Sequence, residues 1–247
     1  MTVRLGIDIG GTGIKSAPVD VELGDLAADR YRLPTPKKHT PNEVMRVVLD
    51  VVKHFPDVEG PIGATFPGVV IRGVVHTAAN MDKTWIGLDA DKLFTETLGR
   101  PVTMMNDADA AGVAEMRFGA GKDKAGVVVM ITLGTGIGCA VFHDGVLLPN
   151  TELGHIEIDG KDAERLASGS ARDTEKLPWK EFGKRIQRYL RKLDALLWPD
   201  LFIIGGGVSK EADKYLPDIK IRTPVVIAEL LNNAGIVGAA VLVESRE

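Results

Sequence analysis

A single cysteine, Cys139, stands in a chain of 247 residues, so no internal disulfide can form and no cysteine-rich zinc cluster can be built. Its expected role is that of a small buried apolar residue. No apolar stretch approaches the roughly 20 residues a membrane span requires, and no signal-like leader precedes the first strand, which predicts a cytoplasmic chain. Positive charge is not in excess either. A formal net charge of -4 disfavours a general nucleic-acid binder and still permits a local basic track. No fixed-period repeat and no low-complexity stretch is visible. What remains, at 45% hydrophobic content, can bury one large core or two small ones.

Against these absences, glycine is placed with purpose. Leu5-Gly6-Ile7-Asp8-Ile9-Gly10-Gly11-Thr12-Gly13-Ile14-Lys15 is an apolar strand delivering an aspartate into a glycine turn closed by threonine and lysine. Gly10, Gly11, Thr12 and Gly13 let backbone N–H groups approach phosphate oxygens, Lys15 adds charge, and Asp8 can hold Mg²⁺ directly or through water. The spacing is neither the Walker pattern nor the dinucleotide fingerprint, because residues 14–20 read as a returning strand. A tight hairpin with no ligand would look the same locally. A second such turn, Thr132-Leu133-Gly134-Thr135-Gly136-Ile137-Gly138, follows an apolar run over 125–133, and a third junction, Gly205-Gly206-Gly207, ends the strand at 201–204.

Periodicity predicts strands at 3–9, 14–20 and 27–33, a helix over 41–55 with Val44, Val47, Val48, Val51 and Val52 on one face, and strands at 62–66, 69–75 and 102–105. Pro67-Gly68 bends the chain between two of these. An alanine-rich helix is expected over 108–118, so that Asn106 and Asp107 sit where a buried strand stops. That is where open α/β sheets collect ligands, and it is equally where a helix cap belongs. The helix predicted over 178–198 carries an apolar stripe of Trp179, Phe182, Ile186, Tyr189, Leu190, Leu193, Leu196 and Leu197. Its other face holds Lys180, Lys184, Arg185, Arg188, Arg191 and Lys192, with Glu181 the lone acid among them. A closing apolar helix is read over 234–243, and two candidate lobes meet near residue 106.

Taken in order, Gly6-Ile7-Asp8-Ile9-Gly10-Gly11-Thr12, Asn106-Asp107-Ala108, Leu133 to Gly138, Glu152-Leu153-Gly154-His155 and Ile204 to Gly207 resemble the sugar kinases of the repressor/ORF/kinase (ROK) family. Residues 104–115 are most similar to the actinobacterial polyphosphate glucokinases. The resemblance implies an α/β chain with the actin-like ATPase (ribonuclease H-like) fold, two α/β lobes around a central cleft. The small lobe would be residues 1–105 plus about 234–247, and the large lobe 106–233. It implies transfer of a terminal phosphoryl group from inorganic polyphosphate, ATP or both to the 6-hydroxyl of glucose or mannose, with Mg²⁺. Asp107 would be the general base: a carboxylate of pKa about 4 cannot ionise a free alcohol, but it can orient the hydroxyl and take its proton late. Gly68, Asn80, Asn106, Asp107, Glu152, His155 and Glu164 match the sugar ligands, with Glu157 a competing carboxylate. Thr132, Gly134, Thr135 and Gly136 would serve the phosphates, and Gly205 to Gly207 would lie near an adenine. Many relatives carry a cysteine-rich zinc loop after the histidine; residues 156–170 here hold no cysteine, so no thiolate zinc site is expected. A dimer is common among relatives.

The donor is read from the basic helix face. Lys180, Lys184 and Arg188 could track a polyphosphate chain by the electrostatics that govern nucleic-acid backbones, or the face could simply be solvated. A sugar-responsive repressor is the rival reading; its helix-turn-helix domain would need chain ahead of residue 6, where none is expected to fit. A silent sugar-binding module would need neither Asp8 nor Asp107.

Overall fold

The computed structural model describes residues 2–244. Two compact units form, one from the residues up to Ala114 together with those from Asn233, the other from Glu115–Asn232. Of the segments expected in the small lobe, residues 1 and 245–247 lie outside the described residues.

In the first unit β1 (Val3–Ile9) and β2 (Ile14–Asp20) form an antiparallel hairpin. The short β3 (Asp25–Leu26) and β4 (Tyr31–Leu33) both pair with β2. A single strand over 27–33 is thus corrected to two pieces, because residues 27–30 bulge out opposite Ala17 and Pro18. Pro18 has no N–H for the ladder on that side, and its carbonyl accepts from Ala27 instead. After α1 (Pro41–Lys53) come the buried β5 (Ile62–Phe66), the two-residue strands β6 (Val70–Ile71) and β7 (Val74–Val75), α2 (Ala90–Leu98) and β8 (Val102–Asn106). The strand expected over 69–75 is in fact the β6–β7 hairpin, turned by Arg72 and Gly73 at φ 51° and 81°, the pair of positive φ values a two-residue primed turn needs. Strands β5 and β8 run parallel to β1, giving the order β3-β2-β1-β5-β8.

The helix α3 (Asp107–Phe118) leads into the second unit. Compactness divides after Ala114 rather than at 106 because Ala108, Ala110, Ala111 and Ala114 are all buried. There β9 (Val127–Leu133) and β10 (Ile137–His143) form another antiparallel hairpin, extended by β11 (Val146–Leu148). Next come the small hairpin β12 (Glu157–Ile158) and β13 (Lys161–Asp162), then α4 (Glu164–Ala167), α5 (Gly169–Glu175) and α6 (Trp179–Leu197). Parallel β14 (Leu201–Gly205) and β15 (Val225–Ile227) complete the order β11-β10-β9-β14-β15. Phe182, Ile186, Tyr189, Leu190 and Leu193 of α6 are buried, while Leu196, expected in the stripe, is 60% exposed; it lies in the last turn, beyond the sheet's cover. Cys139 is buried as expected, its sulfur 3.1 Å from the Tyr189 hydroxyl.

The last helix, α7 (Ala234–Glu244), belongs to the first unit and packs on β1, β2, β5 and β8. Ala234, Ile236, Val237, Ala239, Ala240, Val241 and Val243 are buried, with Leu242 partly so, as befits a helix hydrophobic nearly all round. Close approach depends on glycine. A Cβ on Gly6 would strike the Ile236 carbonyl, one on Gly63 the Ala239 carbonyl, and one on Gly238 the Ala110 carbonyl. Gly6, first of the sequence's glycine cluster, therefore serves helix packing and not the turn. Among the described residues no helix is long and apolar enough to cross a membrane.

Candidate active site

In the first unit, strand register brings the acids together. Asp8 pairs across to Thr65 and Thr65 to Met105, so Asp8 and the Asn106-Asp107 junction stand at the ends of the parallel strands β1 and β8, which flank β5, two strand spacings or roughly 10 Å apart in the sheet. The Thr65 hydroxyl donates to Asp8 Oδ1 at 3.0 Å, and Lys15 Nζ lies 2.9 Å from Oδ2. Lys15 is thus an ion-pair partner of Asp8 in this structure and not poised on the turn. The carboxylate still suits a magnesium ion: its second partner is a flexible ammonium that a harder cation can replace. Mg²⁺ also takes one or two carboxylates with waters and phosphate oxygens rather than a protein cage. No cluster of three or more His, Cys, Asp or Glu residues that could hold a metal occurs among the described residues.

The turn itself is braced from outside. Gly10 N–H donates to the Gly13 carbonyl at 3.1 Å, and the Thr35 hydroxyl donates to the Gly10 carbonyl. Arg32 on β4 donates to the Thr12 carbonyl at 3.1 Å, and its guanidinium occupies the space a Cβ on Gly13 would take. None of Gly10, Gly11 and Gly13 has positive φ, so these glycines provide clearance and not unusual backbone. Asn80 lies over Gly11, and its carbonyl is 2.8 Å from His39 Nδ1.

At the end of β8 one side chain caps the helix that follows. Asn106 Oδ1 accepts from Ala108 and Asp109 N–H at 2.8 and 3.0 Å, and its Nδ2 donates to the Gly68 carbonyl at 3.1 Å. Asn106 is therefore the buried cap of α3, with one amide hydrogen left for a ligand. Asp107, half-buried, follows as the first residue of the helix, where the positive end of the dipole favours a carboxylate. Gly68 is needed because a Cβ would strike the Thr77 carbonyl.

The second unit repeats the turn with a different brace. Gly134 N–H donates to the Gly136 carbonyl at 3.0 Å, while Glu164 Oε2 accepts from Ile137 N–H at 2.9 Å and fills the space beside Gly136. Glu164, matched to sugar ligands, thus also clamps this turn. Thr135 is exposed and Thr132 pairs with Gly205. Gly206, at φ 78°, presses on the Leu133 backbone, and Gly205 on Met130, which leaves Gly207 as the open glycine of the three. The helical stretch from Gly207 is a 3₁₀ turn, interrupted at Glu211.

Beside that turn stands an acidic group around one histidine. His155 Nδ1 is 2.9 Å from Asp162 Oδ2, and Nε2 is 3.8 Å from Glu152 Oε2. Hydrogen bonding to Asp162 raises the His155 pKa, against burial and with help from Glu164 and Glu152. Burial raises the Glu152 carboxyl above the usual range, His155 opposing and Glu164 adding to it. Glu157 is exposed.

The basic face of α6 is less bare than its sequence. Lys184 pairs with Glu181 at 2.8 Å, Arg185 takes Glu175 in a two-pronged contact, Arg188 meets Asp159, and Arg191 donates to the Lys220 carbonyl. Lys180 is exposed. Arg32, Thr65 and Asp162 were not singled out in the sequence. Each reaches its place through strand pairing, and the Asp162-to-Glu164 spacing of a side chain accepting two residues on was the one local signal.

A family model described as "ROK family" matches residues 4–168. The polyphosphate glucokinase of Mycobacterium tuberculosis is 52% identical over 236 residues, covering 95% of this chain and 89% of that protein. The solved structure of an inorganic polyphosphate/ATP-glucomannokinase from Arthrobacter sp. strain KM superposes with a TM-score of 0.97 at 51% identity, covering all of both chains. A ROK family glucokinase from Streptomyces griseus, solved with glucose and AMPPNP, gives a TM-score of 0.83 at 26% identity, covering 97% of this chain and 98% of that one.

Proposed function

This chain belongs to the ROK family, and on that premise we propose that it is a hexokinase-type phosphotransferase, moving the terminal phosphoryl group of polyphosphate or ATP to the 6-hydroxyl of glucose or mannose. The observation that carries this reading is the end of β8, where Asn106 caps α3 and so sets Asp107 at the same sheet edge as Asp8. A pure binding module needs neither acid there.

In the proposed reaction the sugar oxygen attacks the terminal phosphorus, the bond from phosphorus to the bridging oxygen of the donor breaks, and the hydroxyl proton passes to Asp107. Glu152 and His155 accept from sugar hydroxyls, joined by Glu164 through the oxygen not held by Ile137, by Asn106 through its remaining amide hydrogen, and by Asn80. The Gly10–Gly13 and Gly134–Gly136 turns offer backbone N–H groups to the donor phosphates, and Arg32 and Lys15 offer charge. Asp8 would hold Mg²⁺, whose charge offsets that of the transferring group. For a long polyphosphate we favour Arg32, which lies against the first turn, over Lys184 and Arg188, which each have an acidic partner; Lys180 is the remaining candidate on α6.

The deciding experiment is a coupled assay of glucose and mannose, each with Mg²⁺ and either ATP or polyphosphate. Sugar 6-phosphate from both donors is the expected result. Product from ATP alone would confine the chain to an ATP-only glucokinase, and product from neither would overturn the reading.

A further inference from the structure

We propose that Asp162 is the positioning residue of His155, presenting the imidazole with its proton on Nδ1 and a bare Nε2 that accepts a hydrogen bond from a hexose hydroxyl. The inference deepens the sugar-binding role assigned above and rests on it.

Two donors share this carboxylate. His155 Nδ1 lies 2.9 Å from Oδ2, and Glu164 N–H donates to Oδ1 at 2.8 Å. An ionised carboxylate can only accept, so Nδ1 must carry the hydrogen, and the lone pair of neutral imidazole falls to Nε2. The backbone makes the arrangement rigid. Asp159 and Gly160, at φ 51° and 74°, close β12 onto β13 with a two-residue turn, which folds Asp162 back toward the short helical turn Leu153–His155. The charged groups that face the ring are Asp162, Glu164 and Glu152, all acids. One residue thus ties together two of the proposed sugar ligands, and through Glu164 reaches the Ile137 N–H of the second glycine turn.

The isosteric change Asp162→Asn tests this sharply. An amide has one accepting oxygen for two donors, and the Glu164 N–H cannot change character. The amide oxygen should therefore stay with Glu164, leaving the NH₂ facing the ring, so that Nδ1 becomes the acceptor and the proton moves to Nε2. Imidazole ¹⁵N NMR of the wild-type protein should report the Nδ1–H tautomer once the ring is neutral. In D162N it should report Nε2–H, with the ring's titration moved to lower pH by about one unit. Glucose KM should rise about tenfold, the size of one lost hydrogen bond, while kcat stays within about threefold. In an H155A background the same change should move KM by less than about twofold.

A wild-type Nε2–H tautomer overturns the proposal without any variant. So does a D162N protein that keeps Nδ1–H or an unchanged glucose KM, and so does an undiminished D162N effect in H155A, which would make Asp162 merely a prop for Glu164. The NMR measurement needs no substrate. A protein that phosphorylates no hexose would therefore defeat the kinase reading while the tautomer is still decided.

Discussion

The two units share a strand order and differ in where they keep their acids. In both, an antiparallel hairpin supplies the first two strands, a short third strand edges them, and two parallel strands follow on the other side. Aligned through their hairpins, Asp8 of β1 corresponds to Thr132 of β9, since Ile9 and Ile14 close one turn where Leu133 and Ile137 close the other. The fifth strand ends in Asn106-Asp107 in the first unit and in Ile227-Ala228 in the second. There the backbone beyond is held by the buried Glu115 carboxylate, which accepts from Glu229 and Leu230 N–H. The first unit therefore carries carboxylates at its strand ends. The second carries Glu152, Asp162 and Glu164 in the segment between β11 and α5. On the proposed function, this common scaffold would place the general base and the metal carboxylate in the first unit, and Glu152, His155 and Glu164 in the second.

The sharpest way to break that division is Asp107→Asn. If proton acceptance belongs to the first unit, turnover should fall by two to four orders of magnitude, about what general-base catalysis contributes, with an unchanged melting temperature; near-normal turnover would end the assignment.

A smaller effect separates the two turns by the charge of their braces. Arg32→Ala removes a guanidinium from the first turn and should raise the donor KM by about ten- to a hundredfold, the range for a hydrogen bond involving a charged group. Polyphosphate should suffer more than ATP, because a longer anion has more charge to lose contact with. Equal losses for both donors would make Arg32 a structural brace only.

The smallest effect lies within the second turn. A methyl on Gly134 meets nothing within 4 Å, whereas one on Gly136 runs into the Glu164 carboxylate. Gly134→Ala should change stability by less than about 0.5 kcal/mol and Gly136→Ala should cost about 1–3 kcal/mol, as read by denaturant unfolding. Equal values would show that Glu164 does not clamp the turn.

The hairpins, the helix ends and the Asn106-Asp107 junction were legible because each is written in neighbouring residues. An apolar run that stops at glycine, or at Asn-Asp before alanines, carries its own signal. The duplicated strand order was not, since nothing in the sequence repeats at a fixed period and the likeness lies in hydrogen-bond register alone. The ion pairing on the basic face of α6 was hidden for a related reason: the acids that meet Arg185 and Arg188, Glu175 and Asp159, lie on other elements. That Gly6 in β1 is clearance for α7 was not visible either, since Ile236 lies 230 residues further along the chain.

By itself, then, the amino-acid order determined the two glycine-turn hairpins, β5, β8 and β14, the helices α1, α3, α6 and α7, where glycine interrupts the strands, and which acids stand at the breaks. These follow from side-chain periodicity and backbone freedom over a few consecutive residues. Tertiary structure alone decided that Lys15 faces Asp8, that Arg32 and Glu164 brace their respective turns, and that Asp162 turns His155. Arg32 and Glu164 reach turns 20 and 27 residues back along the chain, and even the seven-residue pairs Asp8–Lys15 and His155–Asp162 need the side-chain directions that the folded hairpins set.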